Sequence, residues 1–265
     1  MTGCTADITT SARSVSDPDV SAVLDWWTAN ARPLPWRSTR DVYAVWVSEV
    51  MSAQTTVDRA AQAWVRWMKR WPTVEALATA SLADVLVQWQ GLGYPRRARD
   101  LHRSARIVAR SGWPDDLRAL PGVGPYIAAA VRCFAREEPV LPLDVNVRRV
   151  LRRRFDGAVD ISGDPWRAGQ ALMEFGQRVC TARPSCGGCP VREGCAGPAS
   201  ADRAAGPARR QKPFEGSVRQ RRGRLLRRVL AEGGVPVERH EAEVAAGLAD
   251  DGLALLEDGW LRPPP

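Results

Sequence analysis

The sequence predicts an all-α fold in two lobes, and three observations predict it. Apolar residues recur at helical spacing from residue 18 to about residue 180, with no alternating period-two stretch between. Glycine and proline fall between these segments, at Pro33, Pro35, Pro72, Gly91, Gly93, Pro95, Gly112, Pro114, Pro121, Gly122, Gly124 and Pro142, as short helix connections require. A chain of 265 residues with 45% hydrophobic content is long enough to bury two cores better than one.

Taken in order, residues 1–17 are rich in Ser, Thr and Asp, lack periodicity, and read as a flexible leader. Asp17 then caps a helix that Pro18 opens and that reaches about Ala31. Further helices are expected over 41–52, 55–71, 73–88 and 95–111. A short turn near residue 116 precedes helices over 125–136, 145–154 and 164–179. Near residue 196 the composition turns to Gly, Pro, Ala and Ser, so 201–215 reads as a linker. Residues 216–265 make a small C-terminal module resembling a winged helix. It has helices near 218–231 and 240–249 and a Leu-Leu-Glu-Asp-Gly-Trp-Leu ending suited to a hairpin.

A net charge of +8 favours a polyanionic partner, because arginines and lysines that displace counterions gain affinity for phosphate. A basic run of Arg209, Arg210, Lys212, Arg219, Arg221, Arg222, Arg224, Arg227 and Arg228 reads either as a phosphate contact or as a solvated linker and helix face. No apolar run reaches the roughly 18 residues of a membrane span, so no membrane partner is expected, and cytoplasmic placement is the default.

Of six cysteines, Cys4 and Cys133 stand alone, while Cys180, Cys186, Cys189 and Cys195 crowd into sixteen residues. Four thiolates in one loop are what an iron-sulfur cluster or zinc demands. Pro184, Gly187, Gly188 and Pro190 let the loop curl, and Arg178, Arg183 and Arg192 surround it with positive charge. In Leu120-Pro-Gly-Val-Gly-Pro-Tyr126, Gly122 and Gly124 permit positive dihedrals, so amides around Val123 can grip a phosphate at the start of a helix. Asp144 is placed to cap the next helix, accepting from the amides of Asn146 or Val147, which would keep it ionised. Glu49 interrupts the apolar run from Val42 to Met51; partial burial there would let it hold a proton, whereas a polar stripe with Ser48 and Ser52 would expose it. One ionised and one protonatable carboxylate form the pair that oxocarbenium chemistry uses.

These motifs occur together with Leu34-Pro-Trp-Arg37, Val47-Ser-Glu-Val-Met51 followed by Gln54-Thr55, and Trp89-Gln-Gly-Leu-Gly-Tyr94. Over residues 20 to 200 the chain resembles the helix-hairpin-helix glycosylases of the endonuclease III superfamily. Within it, the chain is similar to the MutY-type adenine DNA glycosylases in a short form without the large 8-oxoguanine recognition domain. The resemblance implies a core over 18–200, with a barrel lobe of about 38–142 and a cluster lobe of 18–37 plus 143–200. It implies a [4Fe-4S] cluster on the four cysteines and monomeric action, in the nucleoid, on double-stranded DNA carrying a mispaired or damaged base.

By the same resemblance Glu49 protonates a flipped adenine and Asp144 stabilises the oxocarbenium ion. Asn146 joins the catalytic set, and Tyr126 stands where bifunctional relatives carry a lysine, so the enzyme is expected to be monofunctional. Gln54 and Tyr94 match the wedges in the base stack, and Arg32, Leu34, Trp36, Arg37 and Gln170 match the adenine pocket. Adenine opposite 8-oxoguanine or guanine is then the substrate, in base excision repair. Thymine or uracil mismatch glycosylases share the glutamate, tyrosine and aspartate, and a noncatalytic cluster-bearing DNA-binding protein would keep the scaffold alone. Trp36 also suits a core position, and the remaining tryptophans are assigned to the core.

Overall fold

A computed structural model describes residues 13–197 and 213–265. The leader through residue 12 with Cys4, and the expected linker through Lys212 with Arg209 and Arg210, lie outside the described residues. Helices α1 Pro18–Asn30, α2 Val42–Ser52, α3 Val57–Arg70, α4 Val74–Thr79, α5 Leu82–Gln88 and α6 Arg96–Ser111 come first. A short 3-10 turn at Leu117–Ala119 leads to α7 Pro125–Ala135, α8 Val145–Arg154 and α9 Pro165–Arg178. Side-chain oxygens of Asp17, Asp41, Asp144, Asp164 and Ser217 accept first-turn amides, each cap stabilising its helix by about 1 kcal/mol.

The single helix expected over 73–88 is two. Ser81 caps α5 by accepting the Asp84 amide, and Ala80 before it is extended. The carbonyl of Ala80 is met by His102 Nε2 at 3.0 Å from α6. Burial holds the His102 pKa below its ordinary value, so the neutral ring donates this bond. The break is therefore fixed by a tertiary partner that local sequence does not reveal.

The described residues gather in two compact units, one within Met1–Pro33 and Ala129–Gly206, the other within Leu34–Ala128 and Pro207–Pro265. In the first, α9 packs on α1 and α8. Trp26 meets Phe175 edge-on at 5.3 Å and Trp27 meets Trp166 at 5.7 Å. A Cβ on Gly176 would stand 2.9 Å from the Asn146 backbone, so only glycine lets α9 approach the start of α8 this closely. Glu174, 1% exposed, accepts from Trp27 Nε1 at 3.2 Å, Arg32 Nε at 2.8 Å and Arg178 Nη1 at 3.0 Å. A carboxylate this deep stands only because two guanidinium groups and an indole neutralise and bond it.

The second unit is built on tryptophan. Trp46, Trp67 and Trp89 are buried, and the Tyr43 hydroxyl accepts from Trp67 Nε1 while donating to the Trp71 carbonyl, both at 3.0 Å. Its C-terminal part runs α10 Val218–Glu232, β1 Val235–Pro236, α11 Ala242–Asp250, β2 Leu255–Glu257 and β3 Trp260–Arg262, with sheet order β1-β3-β2, all antiparallel. The expected hairpin turns at Asp258-Gly259, both with positive φ, as a tight Asp-Gly turn requires. Trp260 on β3 is 44% exposed, a correction to the assignment of every remaining tryptophan to the core. Among the described residues no helix is long and apolar enough to cross a membrane.

Candidate functional site

Glu49 lies on α2, 8% exposed, and the Tyr126 hydroxyl donates to its Oε2 at 3.1 Å. The polar-stripe alternative fails because every residue from Tyr43 to Met51 is buried, Ser48 included. Tyr126 is placed by the glycine turn before α7. Gly122 has φ +76, and a Cβ there would come 2.9 Å from the Asp100 Cβ, so the position demands glycine twice over. Gly124 does not adopt positive φ, contrary to expectation, and a Cβ on it would meet nothing within 4 Å. Val123 is buried and its amide is taken by the Leu120 carbonyl at 3.1 Å. Among the described residues no backbone bond occupies the amides of Gly122 and Gly124, and these two are the donors the turn can offer an anion.

Gln54 and Tyr94 are both exposed, and both are non-glycine residues at positive φ, 55° and 48°. Such backbone is disfavoured and persists only where its surroundings over-determine it. Arg97 does so. Its Nη1 donates to the carbonyls of Val50, at 2.6 Å, and Ala53, while Nη2 donates to Leu92 at 2.9 Å and Gly93 at 3.2 Å. The guanidinium also lies 5.3 Å from the Trp89 ring and 5.5 Å from the Tyr94 ring. One side chain thus ties together the two loops that present Gln54 and Tyr94.

Asp144 caps α8 as expected. Its Oδ1 accepts the amides of Asn146 at 2.8 Å and Val147 at 2.7 Å, and its Oδ2 accepts Asn146 Nδ2 at 2.7 Å. Asn146 Oδ1 in turn accepts Arg149 Nη2 at 2.7 Å, and the same guanidinium donates to the carbonyls of Gly176 at 2.7 Å and Cys180 at 2.6 Å. Arg149 is buried, so a bonded chain runs from the Asp144 carboxylate to the first cysteine of the loop.

The cysteine loop is pinned to α8. Arg153 Nη1 donates to the Thr181 carbonyl at 2.7 Å and lies 3.5 Å from Cys180 Sγ, and the Ala196 amide donates to the Arg153 carbonyl at 3.1 Å. The cations bonded at the loop are Arg149 and Arg153 of α8. Arg178, expected there, pairs with Glu174. Among the described residues no group of three or more His, Cys, Asp or Glu closes around a point where an ion could sit. The donor set nonetheless fits a metal cluster. Cys180, Cys186, Cys189 and Cys195 are free thiols, and burial raises the Cys189 pKa, with charge on Cys195, Cys180 and Cys186 raising it further. A Cys189 thiol held protonated in this way is stabilised as a thiolate by a cation shared with the other three sulfurs.

Arg32 commits its guanidinium to Glu174 and to Gln177 Oε1, the latter at 2.6 Å, and Gln170 is buried one turn before Glu174 on α9. Leu34 opens the Pro35–Ser38 turn, which seats half-buried Arg37 and packs buried Trp36 edge-on against Trp64 at 6.2 Å. The structure brings together Glu49 with Tyr126, Gln54 with Tyr94, and Asp144 with Asn146. The first unit carries Arg32, Asp144, Asn146, Gln170 and the cysteines; the second carries Leu34, Trp36, Arg37, Glu49, Gln54, Tyr94, Gly122, Val123, Gly124 and Tyr126. Arg97, Arg149 and Arg153 escaped the sequence reading. Their one signal is an arginine on, or beside, the apolar face of a strongly basic helix.

Residues 47–158 match the family described as HhH-GPD superfamily base excision DNA repair protein. The chain is 42% identical over 262 residues to the adenine DNA glycosylase of Mycobacterium tuberculosis, covering 89% of this chain and 85% of that one. It is 39% identical to the adenine DNA glycosylase of Mycolicibacterium smegmatis, covering 84% and 83%. Among solved structures it resembles a thermostable thymine-DNA glycosylase, with TM-score 0.62 and 26% identity over 69% of this chain and 95% of that one.

Two substitutions test the bonded networks. Arg97→Met should cost on the order of 3 kcal/mol through its lost carbonyl bonds. Amide exchange should accelerate at 53–55 and 92–94 while α2 and α6 stay protected; unchanged exchange would remove Arg97 from control of these loops. Arg149→Met should lower the melting temperature and raise exchange at both the Asn146 and Val147 amides and the Cys180–Cys195 loop. A response at only one of the two places would show that the chain of bonds does not connect them.

Proposed function

The chain belongs to the HhH-GPD superfamily of base excision DNA repair proteins, within its adenine DNA glycosylases, and from that membership we propose that it hydrolyses the N-glycosyl bond of adenine mispaired with 8-oxoguanine or guanine in duplex DNA. The observation that carries the reading is the 3.1 Å contact of Tyr126 with Glu49. A buried carboxyl faces a phenol, not an amine, and this suits proton transfer without covalent attachment of the sugar.

The glycosidic bond of a stacked base is inaccessible, so the nucleotide must leave the helix. Exposed Gln54 and Tyr94, held in fixed backbone conformations, are suited to fill the gap it leaves. Glu49 gives a proton to the adenine ring, and the bond electrons leave with the base. The sugar becomes an oxocarbenium ion, which the Asp144 carboxylate, fixed by two amides and Asn146, stabilises. Glu49, now ionised, takes a proton from the water that adds to C1′. Tyr126 has no nucleophilic nitrogen, so no Schiff base forms and the strand stays intact around an abasic site. A [4Fe-4S] cluster held by Cys180, Cys186, Cys189 and Cys195 would supply a rigid tie for the loop and a one-electron redox couple. The setting is chromosomal DNA in the cytoplasm, with the protein acting as a monomer.

Base release should be measured from duplexes carrying adenine opposite 8-oxoguanine, adenine opposite guanine, and thymine or uracil opposite guanine. Adenine release with an uncut strand is expected; preferential release of thymine or uracil would replace this reading with a mismatch glycosylase of the other specificity. Glu49→Gln should slow single-turnover release by roughly 10²–10⁴-fold, and Asp144→Asn by roughly 10²-fold or more, with duplex binding retained. Normal activity in either variant removes that carboxylate from the chemistry. The purified protein should be brown and contain iron, and a colourless protein holding only zinc would overturn the cluster assignment.

A further inference from the structure

The wedge loops and the glycine turn leave the C-terminal part of the second unit without a role. Its first helix, α10, carries six arginines against one acidic residue, Glu232. Arg222 is paired to Asp251 and Arg228 to Glu241, so these two arginines hold the module together. The Arg219 guanidinium lies 5.9 Å over the Phe214 ring. Arg221, Arg224 and Arg227 differ: all three are exposed and make no hydrogen bond or ion pair among the described residues. They follow one another at intervals of three, opposite the face that buries Leu225, Leu226 and Val229. Like charges at this spacing repel along a helix, and an anion laid across them removes that penalty.

Their position indicates which anion. A groove of about 310 Å³ is lined by Trp89, Gly93 and Pro95 on one side and by Gly223, Leu226 and Arg227 on the other. Arg227 therefore stands beside the loop that presents Tyr94, and Arg224 and Arg221 continue from it along the helix. From Arg221 to Arg227 the helix rises about 9 Å, enough to follow two or three phosphates of one strand.

We propose that the exposed arginine face of α10 is a second, sequence-independent contact for the DNA backbone, extending the footprint of the duplex from the Tyr94 loop onto the C-terminal module. This rests on the glycosylase reading above, because the occupant is the same duplex. Each phosphate neutralised releases condensed counterions, so the surface reports itself in the salt dependence of binding.

The test measures the slope of log affinity against log salt for an undamaged duplex. It compares the full-length protein, the triple variant Arg221→Gln/Arg224→Gln/Arg227→Gln, and the control Arg222→Gln/Arg228→Gln, with melting curves for each. The triple variant should melt like the parent, bind roughly tenfold more weakly at low salt, and show a slope shallower by about two to three. The control should keep the parental slope. An unchanged slope in the triple variant overturns the proposal, leaving these arginines a solvated face or a dock for an acidic protein. An equal flattening in the control overturns it as well, since bulk charge then explains the effect. A parent without salt-dependent duplex binding would sink the glycosylase reading itself, an outcome distinguishable from failure of the α10 contact alone.

Discussion

The bonds of one buried guanidinium, Arg149, order the first unit. Its donors reach the side chain of Asn146, the carbonyl of Gly176 on α9 and the carbonyl of Cys180 where the thiol loop begins. Asn146 passes the constraint to Asp144, whose two oxygens are both bonded within the first turn of α8. In the reaction proposed above, a carboxylate that stabilises a short-lived cation cannot reorient, and this bonding would fix Asp144 beforehand. The close approach that lets Arg149 reach Gly176 depends on that residue having no side chain. Helix packing, loop anchoring and catalytic geometry are in this sense one structural problem with one solution.

Arg97 plays the matching part in the second unit. The Arg149 guanidinium is buried and that of Arg97 part-buried, and both bond to backbone carbonyls at the ends of elements, where helix and loop leave acceptors without intrahelical partners. Lysine could not serve, since a point-like ammonium has neither the reach nor the planar fork to satisfy carbonyls on two loops at once. The contrast with α10 is informative, because among the described residues its exposed Arg221, Arg224 and Arg227 have no such partners and remain available to an outside anion.

Much of this architecture was legible in the chain. Asp17 and Asp144 mark helix starts by a local mechanism, a side chain accepting a nearby amide, which needs no tertiary knowledge. Glu49 and the four cysteines declared themselves by being chemically out of place in apolar or compact surroundings. The break between α4 and α5 did not, because the carbonyl it frees is satisfied by His102, over twenty residues away. Arg97 and Arg149 stayed hidden for the same reason: a sequence shows a donor, but the acceptors are carbonyls whose direction is set only by the fold. Trp260 misled by residue type, since one face of a small hairpin exposes an aromatic ring that a larger sheet would cover.

The left-handed backbone at Gln54 and Tyr94 bears on how quickly such a protein can survey a genome. Both residues hold their unfavourable conformations in the protein alone, so in the proposed wedge role encounter with a base pair would demand no rearrangement of these loops. The dwell time at each step would then be governed by how readily the DNA itself opens, and intact pairs would be abandoned quickly because the probe has nothing to refold. Under that proposal, rigidity at two residues would become speed of search.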